Sequence, residues 1–267
     1  MPFRTTLAPI FAATCLLAGS AAHAGQDRTT AAAAPVAAAH STSVVIVHGA
    51  FADGSDWSKV IPLLQAKGIT VRAIQNGLNS LADDVATTRR AINDAPGKVV
   101  LVGHSWGGMV ITEAGANDKV AGLVYVAAFA PEAGQNAMDV GKDFPPSPGI
   151  QKVAPDSEGY LYLPAEAVAE DFAQDLPARQ TAVMAATQGP LNSKALGEKT
   201  SVAAWSSKPS WYIVSEKDRM IDPNLERALA KKIGAKVTSL PTSHVPQQSR
   251  PADVAKVIIA AVQASEK

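Results

Sequence analysis

The run Val44-Val45-Ile46-Val47 constrains the chain most. Four β-branched residues in a row do not alternate between core and water, so both faces of this segment must be buried, as in a parallel sheet. Parallel strands need crossover connections, usually helical. The following sequence supplies them. Trp57 to Lys67 reads as a helix, with Val60, Ile61 and Leu64 on one face and Gly68 as a stop. Thr70 to Ile74 is the second strand. Ser80-Leu81-Ala82-Asp83 is a helix start signal, and that helix runs to about Asn93. Lys98 to Val102, Trp106 to about Ala116 and Val120 to Val126 continue as strand, helix and strand.

The rhythm breaks after Ala130. Eight of the 18 prolines lie between Pro131 and Pro190, with two short helices expected at Ala165 to Gln174 and Ala178 to Thr187. Pro164 and Pro177 sit where a first helical turn tolerates proline. Strand and helix return at Trp211 to Ser215, Asn224 to Lys232, Lys236 to Leu240 and Ala252 to Ala264. The expected architecture is α/β: a mostly parallel sheet of about six strands, helices on both faces, and a small, mainly helical cap insertion. The core spans 43–130 and 206–267, and the cap 131–205. Ligands of such sheets bind at the carboxyl ends of the strands.

With 47% hydrophobic and 18% charged residues, general disorder is excluded. Lys+Arg and Asp+Glu both number 24, so no net field attracts nucleic acid or anionic lipid. The single cysteine, Cys15, excludes a disulfide framework, a cysteine-based zinc site and a CxxC redox centre. Residues 1–24 read as a signal peptide. Arg4 precedes an apolar stretch from about Leu7 to Ala18, and Ala22-His23-Ala24 fits a cleavage site. The stretch is short for a membrane span, and Ala13-Thr14 ahead of Cys15 suits lipidation poorly. The expectation is an exported protein, periplasmic or secreted, with no membrane anchor after cleavage. Residues 25–42, rich in Ala, Thr, Pro and Ser, read as a mobile tether.

Chemistry-bearing residues fall after the strands. Gly103-His104-Ser105-Trp106-Gly107-Gly108 follows the third strand and opens a helix. This strand–turn–helix context is what a G-x-S-x-G nucleophile elbow requires. The serine then stands at a helix start, where N–H groups favour a developing anion. A serine nucleophile needs a base. Of five histidines, His23 lies in the signal segment, His40 in the tether, His48 after strand one and His104 within the elbow. Only His244 lies in a loop after a late strand. The base needs a carboxylate to orient it. Asp218, three residues past the fifth strand, is favoured, with Glu132 and Asp222 in reserve. Two N–H donors are needed for the oxyanion: Trp106 is one, and the loop His48-Gly49-Ala50-Phe51 offers Ala50 first and Phe51 second. Phe51, His104, Phe129 and Trp205 are the expected substrate contacts.

Together VVIVHGAFADGSDW, VVLVGHSWGGMVITEAG, the EKDR segment and the SHVP segment resemble the α/β-hydrolase superfamily. The likeness covers about residues 43 to 265. It is closest to small bacterial esterase-like serine hydrolases and more distant to plant methyl-ester esterases and hydroxynitrile lyases. It implies the α/β-hydrolase fold, a Ser105–Asp218–His244 triad, oxyanion donors Ala50 and Trp106, and no metal or organic cofactor. The order Ser, Asp, His along the chain is also that superfamily's. Val245 stands where the lyases carry a lysine, which argues against cyanohydrin cleavage. The first two strands of larger members are absent or lost in the tether. The expected activity is hydrolysis of a small, largely apolar carboxylic ester or lactone through an acyl-enzyme. Alternatives are perhydrolysis or carbon–carbon cleavage on the same triad, or a non-catalytic ligand receptor.

Overall fold

The structure, a computed structural model, describes residues 40–267. The signal segment, Cys15 and the tether as far as residue 39 lie outside the described residues. Strand β1 (Thr42–Val47) is buried at every position, as its composition requires. It begins at Thr42, one residue inside the expected tether. His40 and Ser41 just before it hydrogen-bond Glu266 near the other end of the chain.

The helix expected over Trp57 to Lys67 is shorter. A 3₁₀ turn at Gly54–Trp57 precedes α1 (Ile61–Gln65). Pro62 explains the shortening, because proline has no N–H to continue an incoming helix and is tolerated only in the first turn. β2 (Val71–Ala73) is followed by α2 (Leu81–Asp94), whose cap Ser80 accepts the Asp83 N–H at 3.0 Å. β3 (Lys98–Ser105) runs three residues beyond expectation, as far as the serine itself. α3 (Gly107–Ala114) and β4 (Val120–Ala128) complete the first half.

The 131–205 insertion is more mixed than a helical cap. α4 (Ala137–Gly141) opens it with a capping box between Asn136 and Asp139. Three very short strands, β5 (Ala154–Pro155), β6 (Tyr160–Tyr162) and β7 (Leu191–Asn192), form an antiparallel sheet of their own. Between the latter two, α5 (Ala165–Ala167) passes into a π turn at Val168–Phe172 and then α6 (Ala178–Thr187). The main fold resumes with β8 (Ser210–Ser215), α7 (Pro223–Lys232), β9 (Lys236–Leu240), α8 (Pro246–Ser249) and α9 (Pro251–Ser265).

The main sheet has the order β2-β1-β3-β4-β8-β9, and every pairing is parallel. Alternate side chains of one strand feed two apolar layers. Val45 and Val47 of β1 belong to one layer with Leu81 and Val85 of α2, Met109 and Ile111 of α3, and Leu225 and Leu229 of α7. Val44 and Ile46 pack with Leu64 of α1 and with Val254, Ile258 and Val262 of α9. Each such side chain stabilises the fold by about 1.5–3 kcal/mol relative to exposure. The chain leaves β1 toward β2, then crosses back to β3. The order therefore reverses between β1 and β3, which opens a crevice beyond their carboxyl ends.

Candidate active site

Ser105 closes β3 with a left-handed backbone, φ 52°. A non-glycine residue in that region is strained, and here it turns the chain from strand into α3. The turn is tight. A Cβ on Gly107 would lie 2.4 Å from the Val47 carbonyl oxygen, and one on Gly49 would lie 2.8 Å from the Ser105 Cβ. Glycine at these two positions lets the loop after β1 press against the elbow.

That loop is held by His48. Its Nε2 accepts the Asn76 backbone N–H at 2.9 Å, so the ring proton is on Nδ1, which donates to the Gly49 carbonyl at 2.8 Å. In a trans peptide the N–H points opposite to the C=O. Tying down the Gly49 carbonyl therefore aims the Ala50 N–H away from His48. Among the described residues, neither the Ala50 nor the Trp106 backbone N–H donates a hydrogen bond. The Phe51 N–H, the second choice from sequence, is taken by the Gly189 carbonyl at 3.0 Å. The Trp106 indole is anchored separately, donating to buried Asp84 at 2.9 Å.

His244 and Asp218 meet although 26 residues separate them. The His244 Nδ1 and Asp218 Oδ2 lie 2.5 Å apart, and both side chains are fully buried. The other carboxylate oxygen, Oδ1, accepts the Met220 and Ile221 N–H groups at 2.6 and 2.9 Å. Backbone bonds zip the two loops together, from Glu216 to Leu240 and from Lys217 to Thr242. With Nδ1 committed, Nε2 is the ring nitrogen left to exchange a proton. His244 and Ser105 line the same cavity.

The π turn braces both loops. Phe172 sets its ring edge-on to His244, with centroids 5.1 Å apart. Asp175 accepts the Ser243 N–H and hydroxyl at 2.9 and 2.5 Å. Gln174 donates to the Lys217 carbonyl, and Asp171 pairs with Arg219. The sequence reading missed this brace, because nothing local in residues 168–175 shows which loops they touch.

The cavity measures about 560 Å³. Phe51, Phe129, Phe144, Leu161, Ile221 and Leu225 form much of its wall, with Lys142 and Asp222 among the few charged groups there. Two of the expected substrate contacts do not line the cavity. His104 is wholly buried and does not line the cavity; its Nε2 donates to the His244 carbonyl at 2.8 Å. Burial and the neighbouring His244 hold it well below the ordinary histidine range, so its role is to fix backbone. Trp205 also lies off the cavity. Its indole donates to the Pro131 carbonyl at 2.7 Å, and Lys232 stands over its ring. The reserve acids have other places as well. Asp222 caps α7 through the Asn224 N–H, and Glu132 is exposed near Lys232.

Comparison with known proteins agrees with this architecture. A pyrethroid hydrolase of Sphingobium wenxiniae is 28% identical over 251 residues, covering 81% of this chain and 86% of the relative. Methylesterase 2 of Arabidopsis thaliana is 26% identical, covering 78% of this chain and 90% of its own length. A crystal structure of a pyrethroid hydrolase superposes with a TM-score of 0.74 at 25% identity, over 84% of this chain and 98% of that one. The family model for the alpha/beta hydrolase family matches residues 44–257. With the sheet order, the elbow at the end of β3 and a match across most of its length, the chain belongs to the alpha/beta hydrolase family.

Proposed function

We propose that this chain is a carboxylic ester hydrolase that works through an acyl-enzyme on Ser105 and takes bulky, neutral, apolar esters. The observation that carries the reading is the buried His244–Asp218 pair on the wall of the cavity that Ser105 also lines. The Ser105 Oγ attacks the ester carbonyl carbon as its proton passes to His244 Nε2. The Ala50 and Trp106 N–H groups hold the oxyanion. The tetrahedral intermediate collapses, the carbon–oxygen bond to the alcohol breaks, and His244 returns the proton to the leaving oxygen. Water then attacks the acyl-enzyme, giving its proton to His244. Collapse frees the acid and restores Ser105.

The wall supports this substrate class. A mainly apolar cavity of about 560 Å³ suits hydrophobic groups on both sides of an ester better than a charged acid or alcohol. Relatives named for pyrethroid and methyl ester hydrolysis support hydrolysis over perhydrolysis, carbon–carbon cleavage or a receptor role. The insertion, which supplies Phe144 and Leu161, is read as a cap over the reacting groups. Export with cleavage after Ala24 belongs to the same proposal. It is checked by sequencing the amino terminus of protein recovered from the periplasm.

The decisive experiment compares wild type with Ser105→Ala on p-nitrophenyl esters, a pyrethroid ester, lactones and diketones. The variant should lose about 10⁴–10⁶ in kcat, and a fluorophosphonate probe should label wild type only. Near-normal ester turnover by Ser105→Ala would end this reading.

A further inference from the structure

Behind the acid–base pair lies a carboxyl group that the proposed reaction does not use. Glu226, in the first turn of α7, is 0% exposed. Its Oε2 accepts the Ser215 backbone N–H at 3.0 Å. Its Oε1 is buried, and among the described residues no donor is directed at it. The acid loop turns on the same residue: the Asp218 backbone N–H donates to the Ser215 carbonyl at 3.1 Å, which brings the Asp218 carboxyl group beside Glu226.

Two carboxylates in contact and away from water cannot both stay ionised, so one keeps a proton. The surrounding donors decide which. Asp218 faces the His244 Nδ1 and the Met220 and Ile221 N–H groups, all of which favour the anion. Glu226 has a single N–H and one bare oxygen. An ionised Glu226 would leave that oxygen uncompensated in the interior. A proton on Oε1, donated to Asp218, satisfies both groups. Two other titratable groups stand nearby, and neither adds positive charge. Glu216, at the start of the acid loop, adds negative charge, and Tyr212 on β8 is an acid that burial also holds neutral. Arg227, the next residue on α7, pairs with Glu216 at the surface. Burial first, then the Asp218 charge, raise Glu226 well above the usual carboxylate range.

We propose that Glu226 is a positioning residue: a neutral carboxylic acid that donates to Asp218 and holds that carboxylate square to His244. This rests on the reading of Ser105, Asp218 and His244 given above. Glutamine has the same shape and also reproduces the neutral donor, its Nε2 facing Asp218 and its Oε1 accepting from Ser215. Leucine fills the space and donates nothing.

The test measures kcat, KM and the pH dependence of kcat/KM for p-nitrophenyl butyrate hydrolysis with Glu226→Gln and Glu226→Leu. Glu226→Leu should lower kcat about tenfold or more with KM kept, and Glu226→Gln should recover most of that loss. The acidic limb of the profile should coincide in wild type and Glu226→Gln, because a neutral group replaces a neutral group. The infrared spectrum of wild type at neutral pH should hold a protonated-carboxyl band that Glu226→Gln lacks. This band carries the test if Glu226→Leu does not fold. A limb displaced to lower pH in Glu226→Gln would mean that a negative charge had been removed, and would overturn the proposal. So would full activity in Glu226→Leu, or a Glu226→Gln as slow as Glu226→Leu. Ester turnover surviving in Ser105→Ala would instead sink the triad, whatever Glu226 does.

Discussion

His48 and His104 take no proton in the proposed reaction, yet each fixes a backbone group beside it. His48 holds the Gly49 carbonyl and so aims the Ala50 N–H; His104 holds the His244 carbonyl. Burial lowers both below the ordinary histidine value, which keeps them neutral, with one nitrogen donating. Removing an oxyanion donor outright costs about 10²–10³ in kcat. His48→Ala leaves the Ala50 N–H present but less well aimed. Its kcat should fall about tenfold with KM nearly kept, as steady-state kinetics would show. A change in KM alone would contradict this account of His48. From sequence, His104 is expected among the substrate contacts. Successive side chains on a strand point to opposite faces, and where the hidden face leads depends on a loop 140 residues away.

At the scale of elements, the π turn does the most with the least length. With the residues that follow it as far as Asp175, it reaches the acid loop through Arg219 and Lys217 and the base loop through Ser243. Asp175→Ala should cost about 1 kcal/mol of stability, since the lost bonds start from an exposed side chain. It should also speed amide exchange at residues 243–249 more than elsewhere. Denaturant midpoints and exchange mass spectrometry would measure both, and uniform exchange would argue against a local brace. The elements that sequence located well are those with a strong local cause. β9 at Lys236–Leu240 and α6 at Ala178–Thr187, which follows Pro177, have the expected bounds. The small sheet β5-β6-β7 was invisible, because strands of two or three residues have no period to read. The π turn was read as ordinary helix, since its residues have helical propensities and only its contacts widen it. An acid such as Glu226 in the first turn of a helix is favoured by the helix dipole alone. Nothing in PNLERALAKK signals that this side chain faces Asp218.

For the whole molecule, buried ionisable groups make stability depend on pH in opposite senses. Burial raises Asp56, Asp84 and Glu226, so their stabilising effect is complete at low pH and is lost as pH rises above the ordinary carboxyl values. His48 and His104 are lowered, so theirs is in place above pH 6.5 and lost as pH falls below it. Glu226→Gln removes one member of the first group. Relative to wild type, it should gain stability as pH rises from about 4.5 toward the value at which Glu226 ionises in the fold, with a slope of up to about 1.4 kcal/mol per pH unit. Urea midpoints at pH 5 and pH 8 would show the difference widening; a constant gap would mean that Glu226 titrates alike in both states.

β4 and β8 are neighbours in the sheet, but residues 129–209 stand between them. As the chain emerges amino end first, β1 to β4 are complete while β4 still lacks its second neighbour. Its open edge must wait until the whole excursion has been synthesised and closed on itself. Such long-range pairing slows folding and exposes a template for pairing with other chains. The segment that walls the cavity thus also sets the delay during which a newborn chain is most prone to aggregate.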